Sequence, residues 1–129
     1  MNKFNIAPIG ATLIVGLVAA SAVAQKHPGK LPPLKPVPYR LIASMMKFEC
    51  ESCHNAKKHP ENVDLSSYSA LMASGEKGPI VIPGHPEKSK LLLYVDGTKK
   101  PRMPFKSKPL GSAEIDLLRR WIITGAKGK

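Results

Sequence analysis

Five residues in the middle of the chain, Cys50-Glu51-Ser52-Cys53-His54, constrain this protein more than any other feature. The spacing C-x-x-C-H is the attachment signature of a c-type haem, in which two thiols form thioethers with the two vinyl groups of one porphyrin. The adjacent histidine is then held beneath the ring, where its imidazole can bind iron. The chain has only two cysteines, so attachment uses both and leaves none for a disulfide. We therefore predict one covalent haem c, attached at Cys50 and Cys53, with His54 as an axial ligand.

Other kinds of protein share the C-x-x-C spacing. A thioredoxin-type redox pair is expected beside a βαβ pattern, and the sequence shows none. A zinc site needs a second pair of ligands at suitable spacing, and His59 and His85 are not arranged in that way. A haem-free thiol protein stays open as a third hypothesis. Haem attachment is the interpretation that the residues favour.

The N-terminus predicts export. Met1-Asn2-Lys3 is a short basic start, an apolar stretch follows, and Ala22-Val23-Ala24 has the small-x-small pattern of a cleavage site. This arrangement is typical of a secretory signal peptide, here residues 1–24. The alternative is a retained membrane anchor, although the apolar run falls short of the roughly 20 residues that span a bilayer. Because bacteria attach c-type haem outside the cytoplasm, we expect a periplasmic protein with no membrane span in its mature form.

The leader that follows, residues 25–39, differs in composition from the rest. Its core, KHPGKLPPLKPVP at 26–38, contains five prolines and no acid. Such a segment disfavours both helix and sheet, and it predicts a linker or a strap on the domain surface. A docking arm or a tether to a larger complex is the alternative. We assign residues 40–127 to one small domain.

That domain shows helical patterning and no convincing period-2 strand pattern. Apolar residues recur at helical spacing from Tyr39 to Cys50, and further helices are predicted over 64–73, 86–95 and 112–124. We expect Asp64 or Ser66 to cap the second helix. We expect the last three helices to end at glycines: Gly75, Gly97 and Gly125. The predicted fold class is all-α, with long loops.

The iron face opposite His54 is either closed by a second ligand or open. The mature chain offers seven candidates: Met45, Met46, Met72, Met103, His27, His59 and His85. Met103 stands out because it lies in Lys100-Pro101-Arg102-Met103-Pro104, where two prolines restrict the backbone and lower the cost of ordering the side chain. Met45, Met46 and Met72 suit packing positions on helices, and His85 is the next candidate. We predict Met103 as the second axial ligand.

Four segments resemble the planctomycete-type cytochrome c domain, a branch of the class I cytochrome c fold. They are CESCH at 50–54, DLSSYSALMASGEKGPIVIPGHPEKSKLL at 64–92, RMP at 102–104 and LGSAEIDLLRRWIITGA at 110–126. C-x-x-C-H is common to all c-type cytochromes, so the block IVIPGHPEKSKLL and the ending from RMP to WIITGA are the more specific parts. His85 replaces an expected Asp or Asn, and the leader lies outside the resemblance.

The resemblance implies a small class I-like fold, with helices and long loops wrapped around one haem c. It implies His54 as the proximal ligand and Met103 as the distal one. It also implies that the helix before Cys50 crosses the C-terminal helix. A last implication is that the carbonyl of Pro79 accepts a hydrogen bond from the His54 ring and fixes its orientation.

His/Met ligation predicts a carrier rather than an enzyme. Six-coordinate iron has no open position for a substrate, and thioether sulfur favours Fe(II). We therefore expect single-electron transfer between other proteins and no catalytic residues. The alternative is a haem c subunit, a small haem enzyme or a gas-binding protein with an open or labile distal site.

The charge of the chain predicts its partners. The formal net charge is +11, and it falls to +10 when Lys3 leaves with the signal peptide. Two segments without acids, 55–60 and 97–110, flank the two predicted ligands and together carry seven cations: Lys57, Lys58, Lys99, Lys100, Arg102, Lys106 and Lys108. The positive field of these cations would steer an acidic redox partner towards the protein. The alternative is that the lysines only form a solvated surface and dock no partner. We do not expect nucleic acid as a partner of an exported protein, and we expect a monomer or part of a larger redox complex.

Overall fold

The computed structural model describes residues 34–129. The predicted signal peptide and most of the leader, including His27, lie outside the described residues. Helices alternate with long loops, and within 34–129 there is no strand, which confirms the all-α class. The elements are α1 (Tyr39–Glu49), α2 (Tyr68–Ala73), α3 (Lys90–Val95) and α4 (Ser112–Ile123), with 3-10 turns at Pro60–Asn62 and Pro86–Lys88. No helix in this part of the chain is both long and apolar enough to cross a membrane.

The first and last helices pack against each other, as expected from the sequence. Ile42 and Met46 of α1 recur at four-residue spacing on one helical face, as do Leu118 and Ile122 of α4, and all four are buried. Removing a side chain of this size from water contributes about 1.5–3 kcal/mol. The predicted packing role of Met45 and Met46 is confirmed, since both are buried in this core.

The C-terminal tail is bonded to three aromatic residues. The Trp121 Nε1–H donates to the Lys127 carbonyl at 3.0 Å, and the Tyr68 hydroxyl donates to the Ala126 carbonyl at 3.1 Å. The backbone N–H of Tyr39 donates to the Lys129 carbonyl at 3.2 Å. These bonds connect the tail to the first residue of α1, to α2 and to α4. They therefore fix the N-terminal end of α1, the helix that precedes the C-x-x-C-H motif.

The second helix is shorter than predicted. It begins at Tyr68, and Ser67 caps it by accepting a hydrogen bond from the Ala70 N–H at 3.1 Å. Asp64 is not the cap, because its Oδ1 accepts from the N–H and the hydroxyl of Ser66 at 2.9 and 2.6 Å. This local turn competes with helix formation, and it delays the start of the helix.

The helix predicted over 86–95 is divided in two. Ser89 is buried, and its hydroxyl donates to the His85 carbonyl at 2.9 Å while accepting from the Ile82 N–H at 2.9 Å. The backbone of Ser89 is therefore extended, with ψ 104°, between the 3-10 turn and α3. Gly97 and Gly125 do adopt the left-handed conformation expected after their helices, with φ of 86° and 102°.

Candidate haem site

The C-x-x-C-H motif forms one further turn at the end of α1. The Cys50 N–H donates to the Met46 carbonyl at 2.9 Å, which continues the helical pattern past Glu49. The N–H groups of Cys53 and His54 then donate to the Cys50 carbonyl at 3.0 and 2.9 Å. Residues three and four apart in such a turn share one face. The motif therefore presents both thiols and the imidazole from one side of a single turn.

The two thiols have different surroundings. Cys50 is half-buried and packs against the hydrophobic core, whereas Cys53 is exposed. Burial raises the pKa of the Cys50 thiol to about 12, and nearby carboxylates add to the effect: Glu49, Glu51 and Glu114. Cys50 therefore stays a protonated thiol at neutral pH. The Cys53 sulfur lies 3.7 Å from the Lys58 ammonium. Neither cysteine is in a disulfide, so both are available for attachment.

The His54 ring is oriented by a backbone carbonyl. Its Nδ1 lies 3.1 Å from the carbonyl oxygen of Val63. A carbonyl can only accept, so this contact requires the proton on Nδ1 and leaves the lone pair on Nε2. A metal-binding histidine usually donates its other ring N–H in this way. The contact therefore leaves Nε2 as the nitrogen that can bind iron.

The carbonyl that meets His54 is not the one expected. The resemblance implied Pro79, but Pro79 is exposed and the contact is made by Val63. The physical reason is local: the Leu65 N–H donates to the His54 carbonyl at 3.1 Å, which brings the Val63 backbone back to the motif. Pro60, which opens the 3-10 turn between them, was the sequence signal for such a short return.

Met103 lies in the loop between α3 and α4. It is half-buried and packs against the same hydrophobic core as Cys50. Its N–H donates to the Tyr94 carbonyl at 3.0 Å, so the loop is tied to α3 at this residue. The peptide bonds Lys100–Pro101 and Met103–Pro104 are both cis. The role of Met103 as an iron ligand stays a prediction.

The other candidate ligands have contacts of their own. Met72 is half-buried and packs against the core. His85 is exposed, and its Nδ1 lies 3.1 Å from the Glu87 carboxylate. His59 is also exposed, with Nδ1 3.3 Å from the Asn55 carbonyl. In the described part of the chain, no group of three His, Cys, Asp or Glu side chains could hold a metal ion.

Six of the seven predicted docking cations are exposed lysines. They lie in two loops: Lys57, Lys58, Lys99, Lys100, Lys106 and Lys108. Arg102 differs, because it is half-buried and its Nε donates to the Val95 carbonyl at 3.3 Å. Arg102 therefore supports the loop that carries Met103, a role that the charge pattern alone did not indicate.

Comparison with known families gives one match that includes this site. Residues 50–106 match the model of the family described as Planctomycete cytochrome C. This segment is therefore similar to a planctomycete-type cytochrome c domain. Both predicted axial ligands, His54 and Met103, lie inside the matched range. No curated protein and no solved structure matches the chain.

The cytochrome c domain implies covalently bound haem c, and the residues present fit that group. Two free thiols lie on one turn, and the imidazole beside them uses Nδ1 for the Val63 carbonyl, so Nε2 is the nitrogen left for a metal. The packing of the domain extends beyond the matched segment. Leu118, Trp121 and Ile122 of α4 are completely buried, and α4 contacts α1, which carries the motif.

Proposed function

We propose that this protein is a mono-haem c-type cytochrome that carries single electrons between redox proteins in the periplasm. Its axial ligands are His54 and Met103, and its fold is of the class I cytochrome c type. The observation that carries the proposal is the 3.1 Å contact between His54 Nδ1 and the Val63 carbonyl, in a ring that directly follows two free thiols. This arrangement suits iron ligation through Nε2.

Each residue of the motif has one task in this proposal. Cys50 and Cys53 hold the porphyrin through thioethers, and His54 Nε2 binds the iron. The Val63 carbonyl would fix the plane of the imidazole by accepting a hydrogen bond from its Nδ1–H. When bound, haem supplies the exchange of one electron between Fe(III) and Fe(II).

The surroundings of Met103 support its role as the distal ligand. Its thioether has no proton to lose, and it binds Fe(II) in preference to Fe(III), which raises the reduction potential. The Tyr94 carbonyl and the hydrophobic core restrain the loop, so the side chain needs little ordering to stay on the iron. With both axial positions filled, no position is open for a substrate. A carrier therefore fits better than an enzyme.

Acidic redox proteins are the partners we propose. Two loops expose lysines, and the loop from 97 to 110 contains five cations and no acid. The positive field of these cations increases the rate of encounter with an acidic surface without requiring tight binding. The sequence of residues 1–24 supports export to the periplasm, where c-type haem is attached.

The proposal is tested by producing the full chain in a bacterium with the c-type haem attachment machinery. We expect periplasmic protein with one haem per chain by mass and by pyridine haemochrome, and a reversible one-electron redox titration. Cys50→Ala together with Cys53→Ala should abolish covalent haem, whereas Ser52→Ala, inside the same motif, should retain it. Periplasmic wild-type protein without covalent haem would refute the proposal.

A further inference from the structure

The side-chain amide of Asn55, the residue that follows the C-x-x-C-H motif, makes hydrogen bonds through both its donor and its acceptor. Its Nδ2 donates to the Glu51 carbonyl at 2.6 Å. Its Oδ1 accepts from the N–H groups of Lys57 and Lys58, both at 3.0 Å. A side-chain amide supplies a donor and an acceptor at once, which neither a carboxylate nor a hydrocarbon of this size can do. The chemistry of this residue therefore matches its two sets of neighbours.

The backbone closes the same turn. The Asn55 N–H donates to the Lys58 carbonyl at 2.7 Å, and the Lys58 N–H donates to the Asn55 carbonyl at 3.0 Å. The turn also carries the Lys58 ammonium to 3.7 Å from the Cys53 sulfur. Because Glu51 lies inside the motif and Lys58 lies beyond it, Asn55 links the two ends of residues 51–58.

We propose that Asn55 is a positioning residue for haem attachment. Its hydrogen bonds hold residues 51–58 in a turn that places Cys53 and His54 beside one haem. Each thioether forms when a thiol S–H adds across a vinyl C=C bond: sulfur bonds one carbon and the hydrogen goes to the other, without an oxidant. Such an addition depends on orientation, which a preformed turn supplies. This inference rests on the proposed attachment of haem at Cys50 and Cys53.

Two substitutions distinguish the role of the amide donor from that of the amide acceptor. Asn55→Ala removes all three side-chain hydrogen bonds. Asn55→Asp keeps an acceptor for the lysine N–H groups but loses the donor to the Glu51 carbonyl. Ser67→Ala is the control, because it removes two side-chain bonds at the start of α2, away from the motif: one of 3.1 Å to the Ala70 N–H and one of 3.2 Å to the Ser69 hydroxyl. All three are made in the full chain with the attachment machinery present.

The products are measured in two ways that do not depend on electron transfer. Mass spectrometry gives the fraction of protein that carries haem, and the position of the pyridine haemochrome band distinguishes one thioether from two. Amide hydrogen exchange at Lys57 and Lys58 in the purified cytochrome reports whether the turn is intact.

We expect Asn55→Ala to lower the ratio of two-thioether to incomplete product roughly fivefold or more, as the loss of several hydrogen bonds implies. The amides of Lys57 and Lys58 should then exchange faster. Asn55→Asp should keep those amides protected but still give more one-thioether product than wild type, and Ser67→Ala should attach haem normally.

Two results would overturn the inference while the proposed function stands: a wild-type two-thioether product from Asn55→Ala, or an equal loss of haem in Ser67→Ala. Wild-type protein without haem would instead refute the proposed function, and this inference with it.

Discussion

The Nδ1 atom of His54 lies 3.1 Å from the carbonyl oxygen of Val63, nine residues further along the chain. A short loop brings these two residues together, and it is closed by the Leu65 N–H, which donates to the His54 carbonyl at 3.1 Å. The contact with Val63 determines which ring nitrogen carries the proton, and so which one is free to bind iron. The orientation of the imidazole is therefore decided between Cys50 and Leu65, whereas the predicted distal ligand lies in a loop after α3.

Met103 is expected to close the distal side. Met103→Ala should open the sixth position, so that the ferrous protein binds carbon monoxide at once and the reduction potential falls, within the roughly 0.8 V range that axial ligands set. Met72→Ala is the matched control, since Met72 is also half-buried and also packs against the core. Absorption spectra and redox titrations of both variants make the comparison. Carbon monoxide binding by wild-type protein, unchanged in Met103→Ala, would contradict the assignment.

The exposed lysines are expected to set the rate of electron transfer to an acidic protein. Lys106→Glu with Lys108→Glu should slow the second-order reaction with an acidic plastocyanin about tenfold at low salt, because steering by charge changes rates by 10-fold or more. Lys35→Glu with Lys88→Glu makes the same change in net charge at exposed positions elsewhere, and we expect a smaller effect.

The same reaction should slow steeply as salt rises, because the screening length falls from about 8 Å at 0.15 M to about 3 Å at 1 M. Stopped-flow measurement over this range makes the check. Equal rates for the two charge variants, or a rate independent of salt, would contradict steering by these loops.

The ion pair between Asp96 and Arg119 should make stability depend on pH. The Asp96 carboxylate lies 3.4 Å from the Arg119 guanidinium and is 17 % exposed. Partial burial raises the pKa of Asp96, but hydrogen bonds from Thr98 and the charge of Arg119 outweigh it, and the pKa lies below its ordinary value of 3.8. A lowered pKa in the folded state means that this stabilisation is present above pH 3.8 and is lost as the pH falls through the folded pKa.

Asp96→Asn isolates the charge, because the amide oxygen can still accept from the Thr98 N–H. We expect a loss of about 0.5–1 kcal/mol in the free energy of unfolding at pH 7, since one partner is partly exposed. The difference from wild type should shrink towards zero as the pH falls below 3.8 and through the lowered pKa of the folded state. Chemical denaturation at several pH values measures it, and a difference that does not change with pH would contradict the assignment.

Gly128 allows the tail to lie against Tyr68. A Cβ atom at Gly128 would lie 2.8 Å from two carbons of the Tyr68 ring, closer than real side chains approach. Gly128→Ala should therefore lower the free energy of unfolding by about 1–3 kcal/mol, the usual cost of overpacking. Lys127→Ala is the control, because Trp121 bonds the backbone carbonyl of residue 127, which that variant keeps. Equal stability of Gly128→Ala and wild type would show that the tail can move aside.

Sequence patterns predicted the helices whose apolar spacing is long and regular. The predicted bounds of α1 and α4 agree with the structure to within one residue, because each repeats a buried face over three turns. The short helices were predicted less well. Asp64 and Ser89 use their side chains to bond nearby backbone groups, and each bond ends or delays a helix that propensity alone would extend.

The sequence by itself determined the chemistry of the proximal site. Two cysteines and a histidine at fixed spacing predict covalent haem, because all three residues lie within one turn. The fold decided which carbonyl orients the imidazole, since Val63 reaches His54 through a loop that is closed by backbone hydrogen bonds. The fold likewise decided that Cys50 is half-buried and that Arg102 bonds the Val95 carbonyl. The burial of Cys50 depends on helix packing, whereas the contacts of His54 and Arg102 depend on how the loops beside them close, and both exist only in the folded chain.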